Sequence, residues 1–432
     1  MRPVAVACEW ISQRWQRTVS LPRMVLLILA GASAASSYTV LTHEAILDAV
    51  WDPTIKRLLL KRFPGSTPEQ LIKAHAYAYG GCIIQDMGYY PFSSRFFSDL
   101  THYVRSGDFV MALIKESHDI NEYAFALGAL EHYVGDTEGH RIGTNRAVPM
   151  LYPKLRRKFG DHVTYWDAPV EHIRTEFGFD VLQVARGRYA PDGYRDFIGF
   201  QVSRELIERA FSATYGVEMK DTFGNIGLAV GTYRHMVSAI IPGMTRVAWS
   251  IKSDQLQKEV PGVTRKQFLY NLSRSSYEKE WGVEYQKPGF GTKLLGLLFR
   301  ILPATGPLSA LKIKAPSPEV EKIFMASFNA TVSHYKTILA NVEAGRLEVP
   351  NENFDSGEAP ALGKYKGADQ AYAKLLEKLV DHKFKGLHPE LKANILAYYK
   401  DLKPITGKEA AAQAKILEHL DALRAAEAAS GN

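Results

Sequence analysis

The stretch EHYVGDTEGH, Glu131 to His140, sets His132, Asp136 and His140 at successive intervals of four, directly after the apolar run AFALGAL. Residues four apart on a helix share a face one turn along the axis, so His132 and Asp136 are expected to point together. Imidazole nitrogen and carboxylate oxygen bind zinc at about 2.0–2.2 Å, and such a pair delivers two ligands from one rigid element. Gly139 is expected to end the helix and let His140 turn elsewhere. A polar helix end produces the same letters, and one HxxxD pair does not separate the two readings.

Repetition favours the first. The downstream stretch DAPVEHIRTEFGFD holds His172 and Glu176, again a histidine and a carboxylate four apart. Upstream, LTHEAILDAV supplies His43, CIIQDMGYYP supplies Asp86 and SDLTHYVRSGDF supplies His102. These donors fall between residues 43 and 176, whereas His235, His334, His382, His388 and His419 occur later without such company. Nitrogen and oxygen donors without thiolates suit zinc, with manganese and iron as geometric competitors.

Around these motifs the pattern is helical. HEAILDAVWDPTIKRLLLKRF, PEQLIKAHAYAYGG, INEYAFALGALEHYVGD, VSRELIERAFSATYG and PEVEKIFMASFNATVSHYKTILANVEAG place apolar residues at intervals of three and four, separated by Gly, Pro and Asp. No alternating strand series and no internal repeat is present, so an all-α fold is expected. With 432 residues, 46% hydrophobic and 23% charged, the chain can bury a sizeable core, and a largely disordered chain is excluded. The net charge of +7 favours phosphate-bearing partners, but no long basic block marks a nucleic-acid arm, and no stable nucleic-acid partner is expected.

The amino terminus reads as an export signal over residues 1–37. Arg2, Arg14, Arg17 and Arg23 precede MVLLILAGASAASS, whose apolar core is shorter than the roughly 20 residues of a spanning helix. Ala32 and Ala34 fit cleavage after Ala34, while Ala35 and Ser37 allow cleavage just before Tyr38. Export to a periplasmic or extracellular location follows. Cys82 is then the one cysteine of the mature chain, which excludes an internal disulfide. The remaining chain divides into a catalytic unit over 38–250, a helical extension over 251–350, and a polar linker with C-terminal helices over 351–432. NENFDSGEAPALGKYKGAD reads as the connector, and the interrupted apolar run from Leu294 to Leu308 as a core or interfacial segment that can touch a membrane surface.

The order of the donors resembles the zinc-dependent phospholipase C family, which is related to the S1/P1 nucleases. The family pattern His, Asp, His, HxxxD, His, HxxxE is met here by His43, Asp86, His102, His132 with Asp136, His140, and His172 with Glu176. The resemblance implies a multi-helix catalytic domain carrying up to three zinc ions. Asp86, His102, His132 and Asp136 would hold one, and His140, His172 and Glu176 a second. His43 and Asp136 would hold a third, joined by the amino group and carbonyl of the mature first residue. Tyr38 stands where that residue is required, although the family usually has tryptophan there. Asp136 would bridge two ions, and Asp86 is either a plain ligand or the base that takes a proton from the attacking water. Glu44, Asp99, Glu131 and Glu171 are candidates for orienting the imidazoles.

The implied reaction is hydrolysis of the glycerol-side phosphoester of a phospholipid. A single-strand nuclease, a phosphomonoesterase and a phospholipase D share the metals, and a non-catalytic, metal-stabilised helical binding protein is a further alternative. Several residues have simpler readings. His75 is expected as a core histidine, Asp119 beside His118 as a helix cap, and Tyr89 to Phe97 as packing beneath a loop or the lining of an apolar pocket. Arg141, Arg146, Arg156, Arg157 and Lys158 form either a phosphate-facing rim or a solvated surface.

Overall fold

The computed structural model describes residues 38–188, 200–237, 249, 252–268, 313–403 and 410–428. The leader over 1–37 and the run from Leu294 to Leu308 lie outside the described residues. Among the described residues the fold is helical, and the one extended pairing is an isolated bridge between Asn353 and Glu358. The elements that build the site are α1 (Val40–Val50), α2 (Pro68–Gly81), α3 (Arg95–Tyr103), α4 (Ser106–Lys115), α5 (Ile120–Glu138), α6 (Pro169–Arg186), α7 (Pro318–Glu343) and α8 (Lys366–Asp381).

Their ends follow local chemistry. Before α2, Thr67 and Gln70 exchange hydrogen bonds in a capping box, with Pro68 in the first turn, where no amide donor is needed. Asp119 caps α5 as expected, its Oδ1 accepting from the amides of Asn121 and Glu122 at 2.8 and 2.9 Å. Ser317 caps α7. The start of α1 is held from outside the helix. Asp180 of α6 accepts from the Thr42 hydroxyl at 2.7 Å, from the Leu41 amide at 3.3 Å and from the Thr39 hydroxyl.

Helix α5 is the axis of the molecule. It is buried almost all round, from Ile120 to Thr137, as expected of a helix packed on every side. Its approach to α2 needs glycine: a Cβ on Gly128 would lie 2.0 Å from the carbonyl oxygen of Ala78. Tyr335 of α7 donates to the Leu127 carbonyl at 2.8 Å across another face. One apolar core runs from Tyr38 through α5 and α7 to Leu420 and Leu423, so residues on both sides of the expected connector share it. A smaller cluster joins Leu41 and Ala45 to Phe177, Val181, Trp249 and Phe268.

None of the helices among the described residues is long and apolar enough to cross a membrane. His75 lies in the core as expected, stacked on Trp51 at 3.6 Å and bonded to Asp48 at 2.8 Å. The contact between α2 and α5 makes a direct prediction. Gly128→Ala should destabilise the protein by about 1–3 kcal/mol, the usual penalty for overpacking. Urea unfolding measures this, and an unchanged midpoint would show that the helices can separate at no cost.

Candidate metal centre

Each donor is delivered by a defined element. His43 lies on α1, Asp86 on a short 3₁₀ segment (Ile84–Tyr89), His102 at the end of α3, His132 and Asp136 on the last turns of α5, and His172 and Glu176 on α6. The Gly139 expectation is corrected. Gly139 keeps helical dihedrals (φ −63°, ψ −46°), and the chain passes without a break into a wide π-type turn, Gly139–Thr144. The wider turn, which carries more residues per revolution, rotates His140 out of line with His132 and Asp136.

The donors assemble into three groups, the first two joined through His132: His43, His132 and Asp136; Asp86, His102 and His132; and His140, His172 and Glu176. All are buried, with Asp86 and Glu176 2% exposed and His132 and Asp136 fully enclosed. Asp136 serves two groups. Its Oδ1 lies 3.3 Å from His43 Nε2, while Oδ2 lies 3.4 Å from His132 Nε2 and 3.5 Å from His102 Nε2. Asp86 Oδ1 stands 3.3 Å from His102 Nε2 and 3.9 Å from His132 Nε2, and Glu176 Oε1 stands 3.4 Å from His172 Nδ1.

These separations decide what the groups suit. Donors at about 2.0–2.2 Å from a tetrahedral zinc are about 3.4 Å from one another, by the geometry of the tetrahedron. Moreover, Asp86 Oδ1, His102 Nε2, His132 Nε2, His172 Nδ1 and Glu176 Oε1 are buried without a hydrogen-bond partner among the described residues. Leaving buried polar atoms unsatisfied costs about 1–3 kcal/mol each, so atoms converging at this spacing fit a shared cation.

The opposite nitrogen of each ring sets the direction in which the ring faces the site. His132 Nδ1 donates to the Cys82 carbonyl at 2.9 Å, His102 Nδ1 to Ser98 at 2.8 Å, and His172 Nε2 to Val163 at 2.5 Å. His43 Nδ1 donates to Glu131 Oε2 at 3.1 Å. Each bond fixes the tautomer and aims the other nitrogen at the site. Of the four carboxylates expected in this role, Glu131 fills it. Asp99 pairs instead with Arg95 and Glu171 with Arg174, both near their own helix surface, and Glu44 is buried on α1. Gly135 makes room for His43, since a Cβ there would approach its Cε1 to 2.8 Å.

Electrostatics separate the groups further. Burial pushes His132 and His172 down to about 3, keeping both rings neutral as ligation requires. Burial also drives Asp86 up to about 6 and Glu176 well above the carboxylate range. Asp136 moves the other way: against its burial, His132, His102 and His43 hold it well below its ordinary value. Tyr38 is placed beside His43 by its ring, 5.8 Å between centroids, and its hydroxyl meets Ser327 Oγ at 2.6 Å. The Tyr89 ring stands edge-on to His102, while Tyr90, Phe96 and Phe97 are core residues. The basic residues from Arg141 to Lys158 are exposed, with Arg141 paired to Glu138 and Arg156 to Asp161.

The structure adds a carboxylate that sequence reasoning passed over. Asp355, in the supposed connector, is buried with Oδ1 3.3 Å from His140 Nε2, and the neighbouring Phe354 packs on His102 and His132. Its only sequence signal is the pair Phe354 and Asp355 standing among small and polar residues.

Among the described residues the fold is helical and encloses three buried groups of nitrogen and oxygen donors, a set that suits a zinc-dependent hydrolase of phosphoester bonds. Residues 42–225 match the family model described as zinc dependent phospholipase C. The family is one of zinc-dependent hydrolases of phosphoester bonds, and zinc is the cofactor it uses. Neither curated proteins nor solved structures include a match to this chain.

Two outcomes follow from the centre. Chelation should lower the thermal unfolding midpoint by several degrees and added zinc restore it, because an ion bound by the folded state alone contributes about 2.7 kcal/mol at one hundred times its Kd; a midpoint indifferent to chelator contradicts the site. Glu131→Gln should weaken zinc binding about 10–100-fold, the usual effect of losing an outer hydrogen bond to a ligating histidine. Competition with a chromogenic chelator measures it.

Proposed function

We propose that the protein is an exported phospholipase C that hydrolyses the glycerol-side phosphoester of a phospholipid. The observation that carries this reading is the set of three donor groups, two of them sharing His132, within the matched segment. In this reading residues 1–37 direct export, and residues 38–250 form the catalytic unit. Residues 251–350 and 351–432 extend it, with contact at the membrane surface as a role for the extension.

Asp86, His102, His132 and Asp136 are assigned to one ion, His140, His172 and Glu176 to a second, and His43 and Asp136 to a third. A Tyr38 made N-terminal by cleavage would join the third with its amino group and carbonyl. Bound zinc supplies Lewis acidity toward the phosphoryl oxygens and shifts the acidity of water toward neutral pH. The chain's own groups do the rest. Asp136 is the shared carboxylate because both its oxygens are engaged. Asp86 meets the imidazoles through Oδ1, which leaves Oδ2 as the atom that accepts a proton from water. The apolar faces of Phe354 and Tyr89 against His102 exclude bulk water and strengthen the interactions of charge within the centre.

Purified zinc-loaded protein should release diacylglycerol and phosphocholine from phosphatidylcholine. His132→Ala and Asp136→Ala should each lower that rate at least a thousandfold and reduce bound zinc. Release of nucleotides from single-stranded DNA without diacylglycerol would move the assignment to a nuclease, and release of choline to a phospholipase D. Full activity in either variant refutes the site. Mass spectrometry of the exported protein reads the mature N-terminus directly.

A further inference from the structure

Asp355 is held by its surroundings with one oxygen left over. Its Oδ2 accepts from the Tyr103 hydroxyl of α3 at 2.9 Å and from the Tyr365 hydroxyl just before α8. Its amide donates to Asn353 Oδ1 at 2.9 Å, and its carbonyl accepts from Asn145 Nδ2 at 2.7 Å. The Phe354 amide donates to the His102 carbonyl at 3.2 Å, and the bridge between Asn353 and Glu358 closes the turn. Oδ1 is different. It is buried, has no hydrogen-bond partner among the described residues, and stands 3.3 Å from His140 Nε2, which has none either.

We propose that Asp355 is a zinc ligand, joining His140, His172 and Glu176 as the fourth protein donor to one ion. This rests on the metal-site reading above and extends it beyond the matched segment, which ends at residue 225. Three features support it. The 3.3 Å separation from His140 Nε2 matches one edge of a zinc tetrahedron, as the Asp86 to His102 separation does, and His140 in turn groups with His172 and Glu176. A hydrogen bond does not account for the contact, because neither facing atom is in hydrogen-bonding geometry with the other. The two tyrosine hydroxyls on Oδ2 orient the carboxylate as outer partners of metal ligands do, fixing which oxygen faces the site.

The assignment has a structural consequence. The segment around Asn353–Glu358 is a wall of the metal centre, and α8 behind it, through Tyr365, buttresses that wall. With four protein donors the site would still take a substrate oxygen, because zinc permits a fifth ligand.

The test uses the full chain loaded with zinc and dialysed against a graded series of chelator concentrations, with bound zinc counted by mass spectrometry. Wild type, Asp355→Asn, His140→Ala and Tyr365→Phe are compared. Asp355→Asn and His140→Ala should lose the same single equivalent of zinc, or hold it at least tenfold more weakly, while the remaining ions stay. Tyr365→Phe, which keeps the carboxylate and removes one of its anchors, should weaken that ion by a smaller factor. In cobalt-substituted protein the visible band should shift in Asp355→Asn. Wild-type zinc content, affinity and cobalt spectrum in Asp355→Asn, with an ion lost in His140→Ala, overturn the ligand assignment and leave the His140 site standing. No loss in either variant overturns the site itself. Should Asp355→Asn fail to fold, judged by circular dichroism, Tyr365→Phe decides: unchanged affinity there overturns the proposal.

Discussion

Asp136 divides its two carboxylate oxygens between His43 on one side and His102 with His132 on the other, and the fold is built to keep that division in place. A carboxylate with both oxygens committed to separate groups tolerates little displacement, since a shift toward one group is a shift away from the other. Helix α5 must therefore be rigid at its C-terminal turns and fixed in depth against α1 and α3. It achieves this by burying nearly every residue, by the backbone-to-backbone approach at Gly128, and by receiving the Tyr335 hydroxyl from α7. The Gly128 contact also seats Cys82, whose carbonyl follows directly after α2 and receives His132 Nδ1. Packing between two helices thus sets the direction of a lone pair.

The same constraint explains why neighbouring carboxylates behave differently in one buried region. Asp136 stays ionised because three imidazoles surround it, while burial drives Asp86 and Glu176 toward their protonated forms. A cluster of buried carboxylates without cations would take up protons or unfold. Zinc held by these residues would reverse both tendencies at once by giving each acid a countercharge. The protein therefore places a dense set of polar groups in a deeply buried region, an arrangement that suits a bound cation.

Much of this was legible in the amino-acid sequence, for a geometric reason. His132 with Asp136 and His172 with Glu176 are four apart on single helices, so periodicity alone brings each pair to one face. Glu131 is adjacent to His132 in the sequence, but adjacency does not say that it serves His43 rather than His132. Asp180, which pins α1 to α6, continues the spacing of His172 and Glu176, so its signal was present. The acceptors Cys82, Ser98 and Val163 act through backbone carbonyls, which carry no residue signature. His140 read as turned away by a break at Gly139, whereas a wider helical turn does the work, and the letters GHRIG do not distinguish the two. Tyr38 read through its backbone, and the structure adds the ring against His43 and the hydroxyl on Ser327. Asp355 could not be read, because nothing local ties a turn in a polar stretch to a histidine so far upstream.

That turn shows how a late segment acts on an early site. Phe354 and Asp355 are consecutive residues that face adjacent donor groups: the Phe354 ring lies 4.8 Å from His102 and 5.9 Å from His132, while the Asp355 carboxylate faces His140. One residue supplies apolar cover and the next supplies charge. Cover over the first group lowers the local dielectric and strengthens every interaction of charge beneath it. A carboxylate entering that medium is costly unless each oxygen is answered, and two tyrosine hydroxyls answer one of them. The other faces His140 alone. The segment thus imposes a burial cost that its own hydrogen bonds meet only in part, and the remaining oxygen is stable there only if the centre it faces is cationic.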